Sequence, residues 1–140
     1  MAIRIVPLQK HHIPDIMNLD TRFKSRWSEG FYDQRISLYP HLGHAAYDNN
    51  RFVGFILGKE QPDGTVLISR VAVDKKYEKR GIGTQLMHSL EKSTPTPLVS
   101  SVRVNNIPSI KLHEKTGFFQ YDTTRYSDNT LGIKMKKYRR

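Results

Sequence analysis

The chain contains no cysteine, which excludes a disulfide framework, a thiolate zinc site and a catalytic thiol. A reducing, cytoplasmic setting suits such a chain. Carboxylates are scarce: 13 Asp and Glu stand against 23 Lys and Arg, for a formal net charge of +10. No apolar run approaches the ~18 residues that a membrane-spanning helix needs. Met1 to Leu8 lacks the basic start and unbroken apolar stretch of a signal peptide. Neither export nor membrane spanning is expected. No repeat or low-complexity tract interrupts the chain, and no metal is expected.

What remains is a folded-domain composition. The length of 140 residues suits one domain, 1–140, and 37% hydrophobic with 26% charged residues is ordinary for a packed globule. The positive charge raises the local concentration of anionic partners: RNA, DNA or a polyphosphate cofactor. It is spread along the chain, with one cluster at Lys134, Lys136, Lys137, Arg139 and Arg140. That distribution reads as a solvated basic face before it reads as a nucleic-acid site.

Periodicity orders the elements. Ile3, Ile5 and Pro7 alternate as a strand, and Ile13, Ile16, Met17 and Asp20 fall at helical spacing. A second short helix is expected within the aromatic, polar stretch from Thr21 to Pro40. Gly43 to Tyr47 and Arg51 to Leu57 flank Asp48-Asn49-Asn50 and read as a hairpin. The turn Gln61-Pro62-Asp63-Gly64 leads into a strand from Thr65 to Val73. Ile82, Leu86 and Leu90 then lie four apart on a helix that ends near Ser93, before Pro95 and Pro97. Leu98 to Val104 is β-type again, so strand, helix and strand make a right-handed parallel crossover. Asn106 is placed to cap a helix opened by Pro108 and stopped by Gly117. A terminal hairpin, Phe118 to Tyr126 and Leu131 to Tyr138, closes the chain.

The turn between the crossover's first strand and its helix carries the chemistry. A glycine-rich turn entering a helix gathers unpaired backbone N–H groups at the positive end of the helix dipole, where anions dock. Gly81 and Gly83 let a ligand approach, and Lys79 and Arg80 add charge, so a pyrophosphate is expected. The same glycines also suit a helix packed tightly on a sheet. There is no G-x-x-x-x-G-K-[ST] loop and no third glycine of a dinucleotide fingerprint.

Val71-Ala72-Val73-Asp74-Lys75-Lys76-Tyr77-Glu78-Lys79-Arg80-Gly81-Ile82-Gly83-Thr84 resembles the central motif of the GCN5-related N-acetyltransferase (GNAT) superfamily. Asn106 to Phe118, NIPSIKLHEKTGF, resembles its second motif at the expected separation. The resemblance covers essentially the whole chain. It implies a mixed, mostly antiparallel α/β (α+β) sheet of six to seven strands, whose central parallel pair splays around the cofactor, with about four helices. It implies an acyltransferase that moves the acetyl group of acetyl-CoA to a primary amine by direct attack in a ternary complex. By the same resemblance Val71, Ala72 and Val73 would line the pantetheine arm. Lys79, Arg80, Gly81, Ile82, Gly83 and Thr84 would hold the pyrophosphate, and Asn106 would touch the cofactor beyond. A backbone amide near Val71 would stabilise the oxyanion, a contribution of ~3 kcal/mol in such sites.

Departures from the family pattern matter. Glu78 stands where the family usually carries Gln or Arg. His113 stands where many relatives carry a general-acid Tyr, and an imidazolium can also donate to a thiolate. The positions where relatives place a carboxylate base read Leu67, Ser69 and Ser101, leaving water, Glu29 or Asp33 as bases. Trp27, Phe31, Tyr32 and Tyr39 on one side, and Tyr121, Arg125 and Tyr126 on the other, are candidates to line the acceptor groove. Among them Trp27, Phe31 and Tyr126 are the expected substrate-binding residues. The acceptor is a protein or peptide amine or a small amine, and dimers are common in the family. Two rival readings are a basic nucleic-acid module and a catalytically silent acyl-CoA sensor.

Overall fold

In the computed structural model, residues 2–21, 23 and 26–139 are described; Arg140 of the basic cluster lies outside them. Seven strands form one sheet in the order β1-β2-β3-β4-β5-β7-β6. They are β1 (Ile3–Pro7), β2 (Gly43–Asp48), β3 (Arg51–Glu60), β4 (Val66–Val73), β5 (Leu98–Arg103), β6 (Phe119–Arg125) and β7 (Leu131–Lys137). The helices are α1 (Ile13–Asp20), α2 (Glu29–Leu38), α3 (Ile82–Ser93) and α4 (Ile107–Lys115). No helix among the described residues is long and apolar enough to cross a membrane.

Side-chain alternation gives the sheet two faces. On one, Val66, Ile68, Leu98, Val102 and Met135 pack beneath Ile82, Leu86, Met87 and Leu90 of α3. Each of those helix residues is at most 1% exposed, and burial stabilises each by about 1.5–3 kcal/mol. On the other face Ala45, Phe55, Leu57 and Ala72 meet Ile16 of α1 with Tyr32 and Ile36 of α2. Asn106 and Gly117 bound α4 as the sequence leads one to expect: Asn106 Oδ1 accepts from Ser109 N–H at 3.3 Å, and Gly117 adopts φ 98° after α4. At the start of α2, Ser28 Oγ accepts from Phe31 N–H at 3.1 Å.

Two features of the sheet position the site. Opposite β3, Arg70 pairs with Leu57 and Ile68 with Gly58, so Ser69 is an extra residue on β4. This bulge switches the faces: Ile68 lies on the α3 side, whereas Arg70 and Ala72 turn toward α1 and α2. The parallel pairing of β4 with β5 covers Val66↔Leu98 and Leu67↔Val99 and goes no further. Beyond those pairs the strands diverge into a fork. The expected terminal hairpin is present, but its second strand inserts beside β5, so β7 is interior and β6 forms the edge.

Candidate active site

The fork leaves one edge of β4 open. Asp74 N–H donates to the Val53 carbonyl at 2.7 Å. In an antiparallel ladder successive residues direct their polar backbone groups to alternate sides. Asp74 and Ala72 thus face β3, and Val71 and Val73 face the fork. Ala72 departs from the expected role: its backbone is committed to β3 and its methyl group to the α1–α2 core.

At the end of β4 the chain turns left-handed twice, at Lys79 (φ 64°) and Gly81 (φ 82°), a conformation that draws successive N–H groups toward one point. Gly81 is the N-cap of α3 and brings no capping side chain. The first intrahelical bond runs from Gln85 N–H to the Gly81 carbonyl at 3.1 Å. The N–H groups of Ile82, Gly83 and Thr84 therefore have no intrahelical acceptor. The two glycines are needed for different reasons. A Cβ at Gly81 would meet nothing within 4 Å, whereas one at Gly83 would stand 3.1 Å from Leu112 Cδ2 on α4. Gly81 supplies the backbone shape, and Gly83 lets α3 lie against α4. Lys79 and Arg80 are exposed at the rim, and so is Glu78. The side chain of Ile82 is core, leaving its amide as its only polar contribution. Uncapped donors at a helix start, rimmed by two cations and continuous with an open strand edge, fit a diphosphate carrying an extended acyl arm.

Across the fork, His113 is 1% exposed. Its Nδ1 lies 2.7 Å from the Ser109 carbonyl and its Nε2 2.9 Å from Ser100 Oγ. A carbonyl only accepts, so Nδ1 carries the proton and Nε2 accepts from the Ser100 hydroxyl. Burial holds the imidazole below its usual pKa, against the opposing pull of the Ser109 carbonyl. Near neutral pH the ring is uncharged, and the nitrogen directed at the sheet has no proton to give. Ser100 follows Val99, the last β5 residue paired to β4, so its hydroxyl stands at the apex of the fork on the α3–α4 side. Only the neighbouring Ser101 stands out in the sequence, because a pairing between Ser100 and His113 has no local signature. Asn106 caps α4 through Oδ1.

On the opposite face a buried cluster ties the segment between α1 and α2 to β4. Asp20 is 0% exposed and accepts hydrogen bonds from Tyr32 Oη at 2.5 Å, from Trp27 N–H at 3.0 Å and from Arg70 Nη1. The Arg70 guanidinium lies 3.9 Å from the Trp27 ring centroid and 4.1 Å from that of Phe23. Burial and the Asp20 carboxylate both raise the Tyr32 pKa.

The expected acceptor residues divide accordingly. Trp27 and Phe31 are brought together, their ring centroids 4.6 Å apart, on the face that carries Arg70. Tyr126 belongs to the other arm, stacked under Arg103 at 4.2 Å. Tyr32 is core, not groove lining, and Tyr39 packs on the α3 side. Arg125 donates to the Asn129 carbonyl within its own turn. Of the two alternative bases, Asp33 lies 3.4 Å from Lys10 Nζ and Glu29 is exposed in the first turn of α2. A separate concavity of about 500 Å³ lies between α1 and the β2–β3 hairpin, lined by Asp15, Asn18, Tyr47, Arg51 and Phe52, and involves neither β5 nor α3.

Known proteins resemble this chain in sequence and in fold. A model of the Acetyltransferase (GNAT) family matches residues 13–118. Over 128 residues the sequence is 27% identical to N-alpha-acetyltransferase 30 of Schizosaccharomyces pombe, covering 85% of each chain. Over 132 residues it is 30% identical to NAA20 of Arabidopsis thaliana, the catalytic subunit of the N-terminal acetyltransferase B complex, covering 86% of this chain and 75% of that one. A chain in the crystal structure of the NatC complex bound to Gag peptide and CoA superposes with a TM-score of 0.90 at 21% identity, covering 99% of both.

Proposed function

The chain belongs to the acetyltransferase (GNAT) family and transfers the acetyl group of acetyl-CoA to an amine, and on that premise we propose that its acceptor is the α-amine at the N-terminus of a polypeptide. The observation that carries this reading is the chemistry of the acceptor side of the fork. On that face β4 contributes Arg70 and Ala72, and β5 contributes Val99, Ser101 and Arg103. The carboxylate that reaches it there, Asp20, is engaged by Arg70, Tyr32 and Trp27. With Asp20 held in that cluster, the amine in this reading arrives largely deprotonated. An α-amine with a pKa of about 7.7–8.0 is roughly one-third neutral at pH 7.5, whereas a lysine at about 10.4 is neutral about once in a thousand. That difference favours the α-amine. The named activities of the matched N-alpha-acetyltransferases run in the same direction.

The donor supplies an activated acyl group: the amine nitrogen bonds to the thioester carbonyl carbon, the carbon–sulfur bond breaks and sulfur leaves with the electron pair, while the surplus proton on nitrogen passes to solvent and the thiolate takes one up from it. In this reading the amides from Lys79 to Thr84, with the Lys79 and Arg80 side chains, hold the diphosphate, and Val71 offers its backbone to the acyl arm. Asn106 stands at the far rim. His113 is a positioning residue that holds Ser100 at the apex.

The test is thiol release from acetyl-CoA with one peptide in two forms, a free α-amine and an N-blocked version that retains an internal lysine. The free form is expected to react at least about 100-fold faster, following the neutral fractions above. Equal rates would overturn the α-amine assignment.

A further inference from the structure

Alternation along β7 splits the C-terminal cations between two faces. Lys137 Nζ lies 2.8 Å from Glu91 Oε1 and donates to the Thr116 carbonyl at 2.7 Å. Arg139 donates to the carbonyls of Glu91 and Thr94, closing the end of α3. These two belong to the α3–α4 side and hold the fold. Lys134 and Lys136 turn the other way, beside Ser101 and Val99 of β5, onto the face that carries Arg70.

The helices α1 and α2 pack over β2, β3 and β4 on that face, and the arm formed by β5, β7 and β6 stays open there. Phe119 is 43% and Tyr121 44% exposed. Lys134 and Lys136 place their ammonium groups 5.7 and 5.8 Å from the Tyr121 ring centroid, and Lys136 lies 5.0 Å from that of Tyr138. Among the described residues neither lysine makes an ion pair. The nearby carboxylates are Asp122, opposite Lys134 in register, and Asp63, whose pKa is lowered by hydrogen bonds from Thr65 and to a lesser degree by Lys136. Arg103, the next cation along, is matched by Asp128 at 3.0 Å.

Resting on the α-amine reading above, we propose that Lys134 and Lys136 select acceptor polypeptides whose second to fourth residues are acidic. β7 lies one strand from β5, about 5 Å, and an extended peptide advances about 3.3 Å per residue. A chain with its amine at the fork that runs across β5 therefore reaches the two lysines within a few residues. Two ammonium groups on an open face, neither in an ion pair, complement short carboxylate side chains. A nucleic-acid track would need a longer run of cations, and this cluster has sent Lys137 and Arg139 to the opposite face.

Three free-amine peptides test the proposal, identical except for Glu-Glu, Gln-Gln or Lys-Lys at positions two and three, assayed with the wild type and with a Lys134→Glu/Lys136→Glu double variant. For the wild type kcat/KM is expected to follow Glu > Gln > Lys, with about a 5- to 10-fold step from Gln to Glu that shrinks in high salt. The double variant inverts the order at unchanged KM for acetyl-CoA and unchanged Tm. Equal rates on the three peptides would overturn this proposal and leave the α-amine reading standing. No thiol release from any of them would overturn both. RNA binding that blocks all three peptides alike, and is lost in the double variant, would give the face to nucleic acid and overturn the proposal.

Discussion

His113 can act in two ways that have different consequences. As a proton donor it would control turnover. As the anchor of Ser100 it controls stability, because replacing it leaves a buried hydroxyl without its acceptor. For His113→Phe we expect a loss of about 1–3 kcal/mol, seen as a Tm lowered by several degrees, with kcat at a temperature well below Tm within about twofold of wild type. A tenfold fall in kcat at unchanged Tm would make it the acid. The same ring contributes to acid lability. Burial holds its pKa below 6.5, as it does for His12 and His44. Below pH 6.5 the unfolded chain therefore binds more protons than the folded one, and stability falls as pH falls. Removing His113 should flatten part of that slope in denaturant titrations between pH 7 and 5. A slope identical to wild type would contradict the buried, neutral ring.

Among the elements, the segment between α1 and α2 depends on one carboxylate. Asp20→Ala would take the buried carboxylate away from the Arg70 guanidinium, whose side chain is 9% exposed, and leave the Tyr32 and Trp27 donors without their acceptor. Removing one partner of such a buried pair costs about 3–5 kcal/mol, measurable as a shift in the urea midpoint at unchanged m-value. A cost below about 1 kcal/mol would mean that Arg70 finds solvent instead. Element order was readable because its signals are local: turn residues at Asp48-Asn49-Asn50, the four-residue spacing in α3, the cap at Asn106. The shape of the turn before α3 was readable on the same grounds, since two glycines and two cations adjoin in the chain. The Asp20–Arg70 pair spans fifty positions and leaves no such trace. The bulge at Ser69 and the insertion of β7 beside β5 are equally settled by contacts between distant strands. Tyr32 and Tyr39 were misplaced for a related reason: an aromatic residue looks the same in a sequence whether it lines a groove or fills a core.

For the whole molecule, the net charge of +10 resolves into separate tasks. Lys79 and Arg80 rim the turn before α3, Lys137 and Arg139 fasten α3 to the last strand, Arg70 is neutralised by Asp20, and Lys134 and Lys136 lie on the open sheet arm. The fork joins these regions, with the glycine turn at one end and the open sheet face at the other. Titration calorimetry of acetyl-CoA against wild type and Gly81→Glu tests this arrangement most directly. A Cβ at Gly81 meets no neighbour, so the variant carries a modest left-handed backbone strain of about 1–2 kcal/mol together with a carboxylate beside the phosphate donors. One-to-one binding in the wild type, weakened at least about tenfold in a still-folded Gly81→Glu protein, is the expected result. No heat with the wild type, or equal affinity for both proteins, would contradict it.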